Sequence, residues 1–357
     1  MRKYIILSFL FVAVSLGLLG QSAPKYSNEF LSIGVGGRAL GMGNAVVSST
    51  NDVYATYWNP AGLLEAKNDV QAGYMHSEYF AGIAKYDYGA VSYKIDSKQS
   101  IGISLIRFGV DNIPNTLELI DAEGNIRYDR VKSFSVADYA FLISYARDLG
   151  IEGLNVGGNV KIVRRVAGEF ANAWGFGIDA AATYDYKGWR FAALARDVTS
   201  TFNAWSFEQG ELQETFEMTG NEIPENSLEI TLPKFILSVS RSFTVKEDFH
   251  ILGEANIDLT TDGKRNVLVK TDFISMDPHL GVEVDYKRIF FLRGGFLNLQ
   301  KETIADRDKA SYTVQPTIGA GLRIKRLAID YAYTNLGGVS QVPYSHIVSL
   351  SYGFTVD

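Results

Sequence analysis

The chain has 357 residues, no cysteine, a formal net charge of -6 and a pI of about 5.4. The acidic balance argues against a nucleic-acid partner, and the missing cysteines exclude disulfides and attachment of a lipid to a cysteine. The 20 tyrosines, 21 phenylalanines and 34 glycines against 8 prolines indicate many strands and tight turns, so an all-β protein is favoured.

Residues 1–20 have the organisation of a secretory signal peptide. Arg2 and Lys3 form a short basic start, residues 4–19 are almost wholly apolar, and Gly20 is a small residue where cleavage is expected. The alternative is a membrane-anchoring helix, but the apolar run is short for a span and polar sequence follows at once. We therefore expect export with cleavage after Gly20.

Residues 21–67 lack strand periodicity and are unusually rich in glycine. Glycine lets a backbone turn sharply and pack closely, and Asn59-Pro60 is a turn signal at which a short helix can begin. We predict that this segment is a compact plug inside a barrel. The candidate plug residues are Gly36, Gly37, Arg38, Gly41, Met42, Gly43, Asn59, Pro60 and Ala61.

From residue 68 to residue 357 the dominant pattern is alternation of apolar and polar residues with a period of two. In residues 312–324 one face carries Tyr312, Val314, Pro316, Ile318, Ala320, Leu322 and Ile324. A helix would need apolar residues three and four apart, so these segments are strands. Many runs reach the length that a tilted membrane strand requires, and aromatic residues lie near the strand ends, as in barrels whose apolar face meets lipid.

We predict a transmembrane outer-membrane β-barrel of about fourteen antiparallel strands over residues 68–357, because closure of a bacterial barrel favours an even number. The predicted strands are 69–78, 84–95, 98–108, 136–148, 152–165, 172–186, 187–198, 232–244, 246–260, 276–287, 288–298, 311–324, 325–335 and 345–356. The residues expected to face lipid include Tyr139, Phe141, Ile143, Val314, Ile318, Leu322, Leu350 and Tyr352.

The predicted connections alternate in length. Short turns at 96–97, 187–188 and 287–288 are expected on the periplasmic side. Long polar connections are expected at the cell surface, where binding loops usually lie. These connections are 109–135, 199–231, 261–275 and 299–310.

Three motifs in the plug segment carry a family resemblance. They are the Arg38-Ala39-Leu40-Gly41-Met42-Gly43 core, Asn51-Asp52-Val53-Tyr54-Ala55, and Trp58-Asn59-Pro60-Ala61-Gly62-Leu63. Together they resemble the start of the PorV/PorQ family of Bacteroidota, which is itself similar to the wider FadL-type barrels. The resemblance implies a fourteen-stranded barrel in the outer membrane of a Gram-negative bacterium and a link to type IX secretion, with translocon components or cargo C-terminal signal domains as partners.

Three functions remain open at this point, and the third of them is a structural barrel that only stabilises a larger envelope complex. The leading hypothesis is a barrel that binds and transfers secreted cargo or translocon partners through apolar loop residues. The candidates are Ile113, Leu117, Leu119, Phe202, Trp205 and Phe207. The alternative is a FadL-like channel for uptake of a hydrophobic small molecule, gated by the plug. Outer-membrane lipid is a partner in each case.

No enzyme or cofactor is expected. The segment Gly34-Val35-Gly36-Gly37-Arg38-Ala39 superficially fits a dinucleotide fingerprint, but no strand–helix–strand unit surrounds it and plug packing explains its glycines. The four histidines are isolated, no G-x-S-x-G elbow is present, and the loop acids lack a closing glutamate for calcium. The sequence therefore gives no catalytic or metal-binding residues.

Overall fold

The structure is a computed structural model that describes residues 27–117, 119–121, 124–208, 227–303, 310–334 and 345–355. The predicted signal peptide at 1–20 and the first residues of the predicted plug segment lie outside the described residues. Within the described part of the chain, no helix is long and apolar enough to cross a membrane.

Fourteen antiparallel strands form one closed sheet, so the predicted transmembrane barrel is confirmed. The strands are β1 Val70–Tyr79, β2 Ala84–Lys94, β3 Gln99–Asn115, β4 Lys132–Asp148, β5 Leu154–Ala167, β6 Ala171–Tyr186, β7 Trp189–Arg196 with Thr201–Phe207, β8 Ser227–Thr231 with Lys234–Lys246, β9 Phe249–Thr260, β10 Ser275–Tyr286, β11 Phe290–Thr303, β12 Ala310–Ile324, β13 Leu327–Thr334 and β14 Ser345–Phe354. Strand β1 pairs with β14 from Val70↔Phe354 onward, which closes the barrel without a free edge.

Side chains alternate between the outside and the inside of the wall. In β4, Phe141 and Ile143 are 41% and 52% exposed, whereas their neighbours Ala140 and Leu142 are buried. Of the residues expected to face lipid, Phe141, Ile143, Val314, Ile318, Leu350 and Tyr352 are exposed, and Tyr139 and Leu322 are half-buried. The outer face is therefore apolar, as it is in a barrel that is embedded in lipid.

The four expected long connections contain more strand than the sequence indicated. Strand β3 continues to Asn115 across a register shift between Val110 and Ile113, where Asn112 has a φ of 59°. The bulge breaks the alternation, so the continuation of the strand is not visible in the sequence.

The second such connection, 199–231, contains the outer halves of β7 and β8. Residues 197–200 interrupt β7, with Asp197 and Ser200 in the left-handed region at φ 55° and 58°. Strand pairing resumes at Thr201↔Thr231 beyond the interruption. Strand formation also continues into the other two expected loops, with β11 reaching Thr303, β12 beginning at Ala310 and a short segment at Val269–Lys270.

The plug lies inside the barrel. It contains a 3-10 helix at Glu29–Ser32, short α-helices at Gly37–Gly41 and Ala55–Trp58, and a 3-10 helix at Pro60–Glu65. Asn59 begins the last of these, because its side-chain oxygen accepts a hydrogen bond from the Ala61 N–H at 3.1 Å. The helix predicted to start at Pro60 is therefore present.

Candidate functional site: the plug and its two cavities

Glycines on both the plug and the wall let the two backbones touch. A β-carbon on Gly41 would lie 2.9 Å from Cα of Gly319, and one on Gly295 would lie 2.3 Å from the carbonyl carbon of Met42. Met42 is fully buried, and Gly43 follows it with a φ of 61°. Gly41 and Gly43 thus lie against the wall strands β12 and β11, whereas Gly34 and Gly36 have positive φ and face plug side chains.

A buried ion-pair network fastens this side of the plug. The Arg38 guanidinium donates from Nε to Oε2 of Glu283 at 3.0 Å, and its Nη2 donates to Oγ of Ser49. Arg293, whose side chain is fully buried, donates to the same Glu283 oxygen at 2.6 Å and to Oδ1 of Asp330 at 2.7 Å. Paired in this way, the charges are compensated, and removal of one member would leave another buried without its partner.

Backbone groups of the plug also bond to wall side chains. The Gly37 N–H donates to Oγ of Ser349 at 2.8 Å, and the Ser48 N–H donates to Oε1 of Glu254 at 2.7 Å. The same Glu254 oxygen also accepts a hydrogen bond from Oγ of Ser238 at 2.7 Å. Because the short plug helices leave N–H groups unpaired, the wall supplies the missing acceptors.

Other contacts of the plug come from the Tyr54 hydroxyl and from Asn59-Pro60-Ala61. The Tyr54 hydroxyl lies 3.0 Å from the Tyr74 carbonyl oxygen and 2.9 Å from that of Leu350, so it contacts the first and the last strand at the barrel seam. Asn59 Nδ2 donates to the Val47 carbonyl at 2.9 Å. A β-carbon on Gly157 of the wall would lie 2.5 Å from the Ala61 nitrogen.

A cavity of about 510 Å³ lies between the plug and the long loops, and we call it the loop-side cavity. Its floor is apolar and comes from the plug residues Ile33, Leu40, Val47 and Trp58, with Tyr79, Ile236 and Leu297 on the wall. Polar groups occupy the other part of the lining, and they include Asn44, Lys234, Asn256, Asp258, Asp277 and His279. Glu29, Arg196 and Arg265 also belong to the lining, so apolar side chains of the plug meet a mostly polar and charged wall in this cavity.

A second cavity, of about 310 Å³, lies between the plug and the short turns, and we call it the turn-side cavity. Cationic residues in its lining outnumber acidic ones by six to three. They are Arg38, Lys67, Arg190, Arg241, Arg288 and Arg323 against Asp185, Glu283 and Asp285. Below the plug the lumen is therefore polar and positive, in contrast to the apolar floor above it.

Asp52 is a plug residue near these cations. Burial raises the pKa of its carboxyl above the usual range, although Arg38, Arg323 and the Tyr54 N–H each act in the opposite direction. The carboxylate accepts a hydrogen bond from the Tyr54 N–H at 3.0 Å. Arg38 and Arg323 therefore compensate the negative charge of Asp52 only in part.

The plug candidates and the loop candidates named from the sequence lie in different parts of the structure. All nine plug candidates lie together inside the barrel. Of the six loop candidates, Ile113 lies in β3, and Phe202, Trp205 and Phe207 lie in β7, so their predicted loop placement is wrong. Pairing continues through these residues because the strands extend past the interruptions at Asn112 and at 197–200. Only Leu117, which is 44% exposed, and Leu119 lie in a connection.

The residues that complete the loop-side cavity were not singled out from the sequence. Asp277 and His279 are on β10, and His279 reaches the plug through a hydrogen bond from Nδ1 to the Gly43 carbonyl at 3.0 Å. The available signal was the presence of ionisable residues on the inward face of a strand. Among the described residues, no group of three or more His, Cys, Asp or Glu side chains is arranged to hold a metal ion.

The fold is similar to that of solved transport barrels. The Pseudomonas putida toluene transporter TodX matches with a TM-score of 0.54 at 14% identity, covering 91% of this chain and 99% of that one. The Ralstonia pickettii toluene transporter TbuX matches at 0.51 and 13%, covering 90% and 98%. A Pseudomonas aeruginosa FadL homologue matches at 0.50 and 14%, with the same coverage of 90% and 98%.

At this level of identity the likeness is one of fold, a FadL-like outer-membrane barrel. No protein-family model matches the sequence, and no curated protein matches it. The wider FadL-type resemblance is therefore supported by the fold, whereas nothing in these comparisons supports the PorV/PorQ family or a Bacteroidota source.

Proposed function

We propose that this protein is an outer-membrane channel for a small hydrophobic molecule, with the plug as its gate. The observation that carries the proposal is the loop-side cavity, whose apolar floor is made by the plug itself. A ligand that enters from the surface loops would meet the plug at Leu40, Val47 and Trp58 before it could pass. Ligand binding and plug position are thereby coupled, which is what a gated channel requires.

The structurally similar barrels TodX and TbuX are toluene transporters, and this supports a hydrocarbon-sized ligand here. Burial of a one-ring molecule in the loop-side cavity would remove its surface from water, which is favourable by about 25 cal/mol per Å² of apolar area. No catalytic step is part of this proposal, because the site provides binding surface and a barrier.

The test is toluene uptake by bacterial cells that express the barrel, compared with the variant Leu40→Asn. Asparagine has the same branched shape as leucine, so the change makes this part of the floor polar with little change of shape. We expect uptake to fall about tenfold, which corresponds to loss of one buried leucine contact. The matched control is Leu117→Asn on the exposed connection, which should leave uptake unchanged. Equal uptake by cells with and without the barrel would refute the channel.

A second candidate is partner binding at the surface loops, as the type IX hypothesis requires. The observation in its favour is that Ile120, Ile126, Tyr128 and Phe273 are 65%, 59%, 77% and 83% exposed on the long connections. Water-exposed apolar residues outside the membrane belt suit contact with another protein. Replacing 116–131 with a short turn should abolish co-purification with secretion partners and leave toluene uptake intact if this function holds.

A further inference from the structure

The ion pairs of the turn-side cavity leave some of its cations without an acidic partner. Each acidic side chain of the lining already has a basic group within hydrogen-bond distance, and the pairs are Asp185 with Arg190, Glu283 with Arg38, and Asp285 with His250. Among the described residues, the side chains of Lys67, Arg288 and Arg323 in the same lining form no hydrogen bond and no ion pair. The charges of this lining that lack a partner are therefore positive.

Arg288 and Arg323 reach the cavity from adjacent parts of the wall. Arg288 is in the turn between β10 and β11, and Arg323 is on β12, where its N–H donates to the carbonyl of Ile289 in that turn at 2.8 Å. The guanidinium of Arg323 lies over the ring of Phe291, 4.7 Å from the centroid, and this contact orients the side chain without neutralising its charge. Arg288 is exposed and Arg323 is half-buried, so both side chains have surface that a solute can contact.

Nearby groups do not neutralise these two arginines. The charge of Asp52 acts on Arg323 from the plug, but the two side chains form no ion pair within the described residues, and burial raises the pKa of Asp52. Asp285 accepts a hydrogen bond from the backbone N–H of Arg288 at 3.0 Å, and not from its guanidinium. Arg241, the remaining cation of the lining, lies over two aromatic rings instead. The two guanidinium groups are therefore available to a ligand.

The ligand that such a lining selects is an oxyanion. Guanidinium N–H groups bind phosphate and carboxylate oxygens in pairs, with shorter and stronger hydrogen bonds than neutral donors give. The two arginines and Lys67, all without an acidic partner, favour a group with two negative charges over a group with one. The volume of about 310 Å³ leaves room for an organic body beside the anionic group. Ser49 and Asn51 of the plug give that body polar side chains to contact.

We infer that the turn-side cavity is a binding site for a small phosphate monoester that enters from the side of the turns. Its phosphate group binds Arg288 and Arg323, and its polar body lies toward Ser49 and Asn51 of the plug. The site is on the other side of the plug from the proposed site for a hydrophobic ligand, and it goes beyond the proposed function. Because plug and wall both line the cavity, the bound solute contacts both of them.

The experiment compares three probes with three carbons each, which are glycerol, lactate and glycerol 3-phosphate. At about pH 8 they carry no charge, one negative charge and close to two negative charges. Binding of each labelled probe to the barrel in phosphatidylcholine nanodiscs is measured by equilibrium dialysis at low salt, and the signal from empty nanodiscs is subtracted. We expect glycerol 3-phosphate to bind about tenfold tighter than lactate, because its second charge can pair with the second arginine. Glycerol should not bind above the level of empty nanodiscs.

Variants then test where the phosphate binds. The double variant Arg288→Gln, Arg323→Gln removes both unpaired arginines and should weaken binding of glycerol 3-phosphate about tenfold or more. The matched control is Lys325→Gln, Arg326→Gln, which removes two positive charges from the exposed turn between β12 and β13, outside the cavity lining. The control should bind with the original affinity. Heat-modifiable migration on gels shows whether both variants keep a closed barrel.

Several results would overturn the inference. It is wrong if glycerol 3-phosphate and lactate bind equally, or if binding survives in the Arg288→Gln, Arg323→Gln variant. An equal loss in the control variant would mean that the net charge of the turn side attracts the probe and that no defined site exists. Phosphatidylglycerol in the nanodiscs should leave binding unchanged, and if it abolishes binding, the cavity takes a lipid head group and not a solute.

The result for the proposed channel is separate, because toluene uptake measures the other side of the plug. If no probe binds beyond empty nanodiscs, the inference fails while toluene uptake can still be present. If toluene uptake is absent while glycerol 3-phosphate binds as expected, the channel proposal fails and the inference holds.

Discussion

The two cavities on either side of the plug differ in the chemistry of their walls. The loop-side cavity has an apolar floor and as many acidic side chains as arginine and lysine side chains in its lining, whereas the turn-side cavity has an excess of arginine and lysine. The plug is therefore two-sided, with Leu40 and Val47 facing one cavity and Arg38 and Ser49 the other.

The two cavities remain different only while the plug keeps them apart. The side of the plug that faces β10 to β12 is held by ion pairs and by glycine contacts. The side at the barrel seam is held by neutral hydrogen bonds. Buried ion pairs are costly to break one partner at a time, whereas single neutral bonds contribute less. We therefore expect motion of the plug to begin at the seam.

The largest effect is expected from Arg293→Met. This change leaves Glu283 and Asp330 buried with one cation fewer, and it should lower the free energy of unfolding by about 3–5 kcal/mol. Urea unfolding in lipid vesicles measures the loss. Arg127→Met, at an exposed ion pair, is the control and should change little. Equal losses in the two variants would mean that the buried network does not hold the plug.

A second variant pair tests the close contact between plug and wall. Gly295→Ala places a β-carbon 2.3 Å from the Met42 carbonyl carbon, whereas the neighbouring Gly294→Ala meets nothing closer than 4.0 Å. Gly295→Ala should lower the free energy of unfolding by about 1–3 kcal/mol. It should also displace the plug, so that the two cavities merge. Single-channel conductance in planar bilayers should rise for Gly295→Ala and remain at the original level for Gly294→Ala. Unchanged conductance in both would show that the plug does not close the lumen.

The barrel could be predicted from the sequence because strand alternation is a local property. Phe141, Ile143 and their neighbours reveal the wall within a few residues, and the glycines of residues 34–43 indicate close packing before their partners are known. The cavities could not be predicted, because residues as far apart in the chain as Asn44 and His279 line the same cavity only after the barrel closes. The interruption at 197–200 was also hidden, since Asp197 and Ser200 adopt left-handed backbone that favours glycine.

A smaller effect is expected at the seam, where Tyr54→Phe removes the hydroxyl that contacts Tyr74 and Leu350. The loss should be about 1 kcal/mol, as for one neutral hydrogen bond. Tyr128→Phe, at a ring that is 77% exposed, is the matched control and should not alter unfolding. If the seam is where plug motion begins, Tyr54→Phe should also increase toluene uptake. Reduced uptake would place the moving side elsewhere.

The smallest effect concerns the pH dependence of the plug through Asp52→Asn. Burial raises the pKa of Asp52 in the folded protein, so the folded state holds its proton more tightly than the unfolded state does. The contribution of this carboxyl to stability is therefore fully present below the ordinary carboxyl pKa, and it is lost as pH rises through the raised value. Asparagine does not titrate and retains an oxygen for the Tyr54 N–H. The variant should gain stability relative to the original protein as pH rises across this range, measured as the difference in unfolding free energy in vesicles.

The control is Asp129→Asn, for which the difference in unfolding free energy should change with pH in the opposite direction. The reason is that the hydrogen bond from Arg127 lowers the pKa of that exposed carboxyl. If the difference in unfolding free energy between Asp52→Asn and the original protein did not change with pH, the cations of the turn-side cavity would already compensate the charge of Asp52. The positive charge of that cavity would then act on the plug itself.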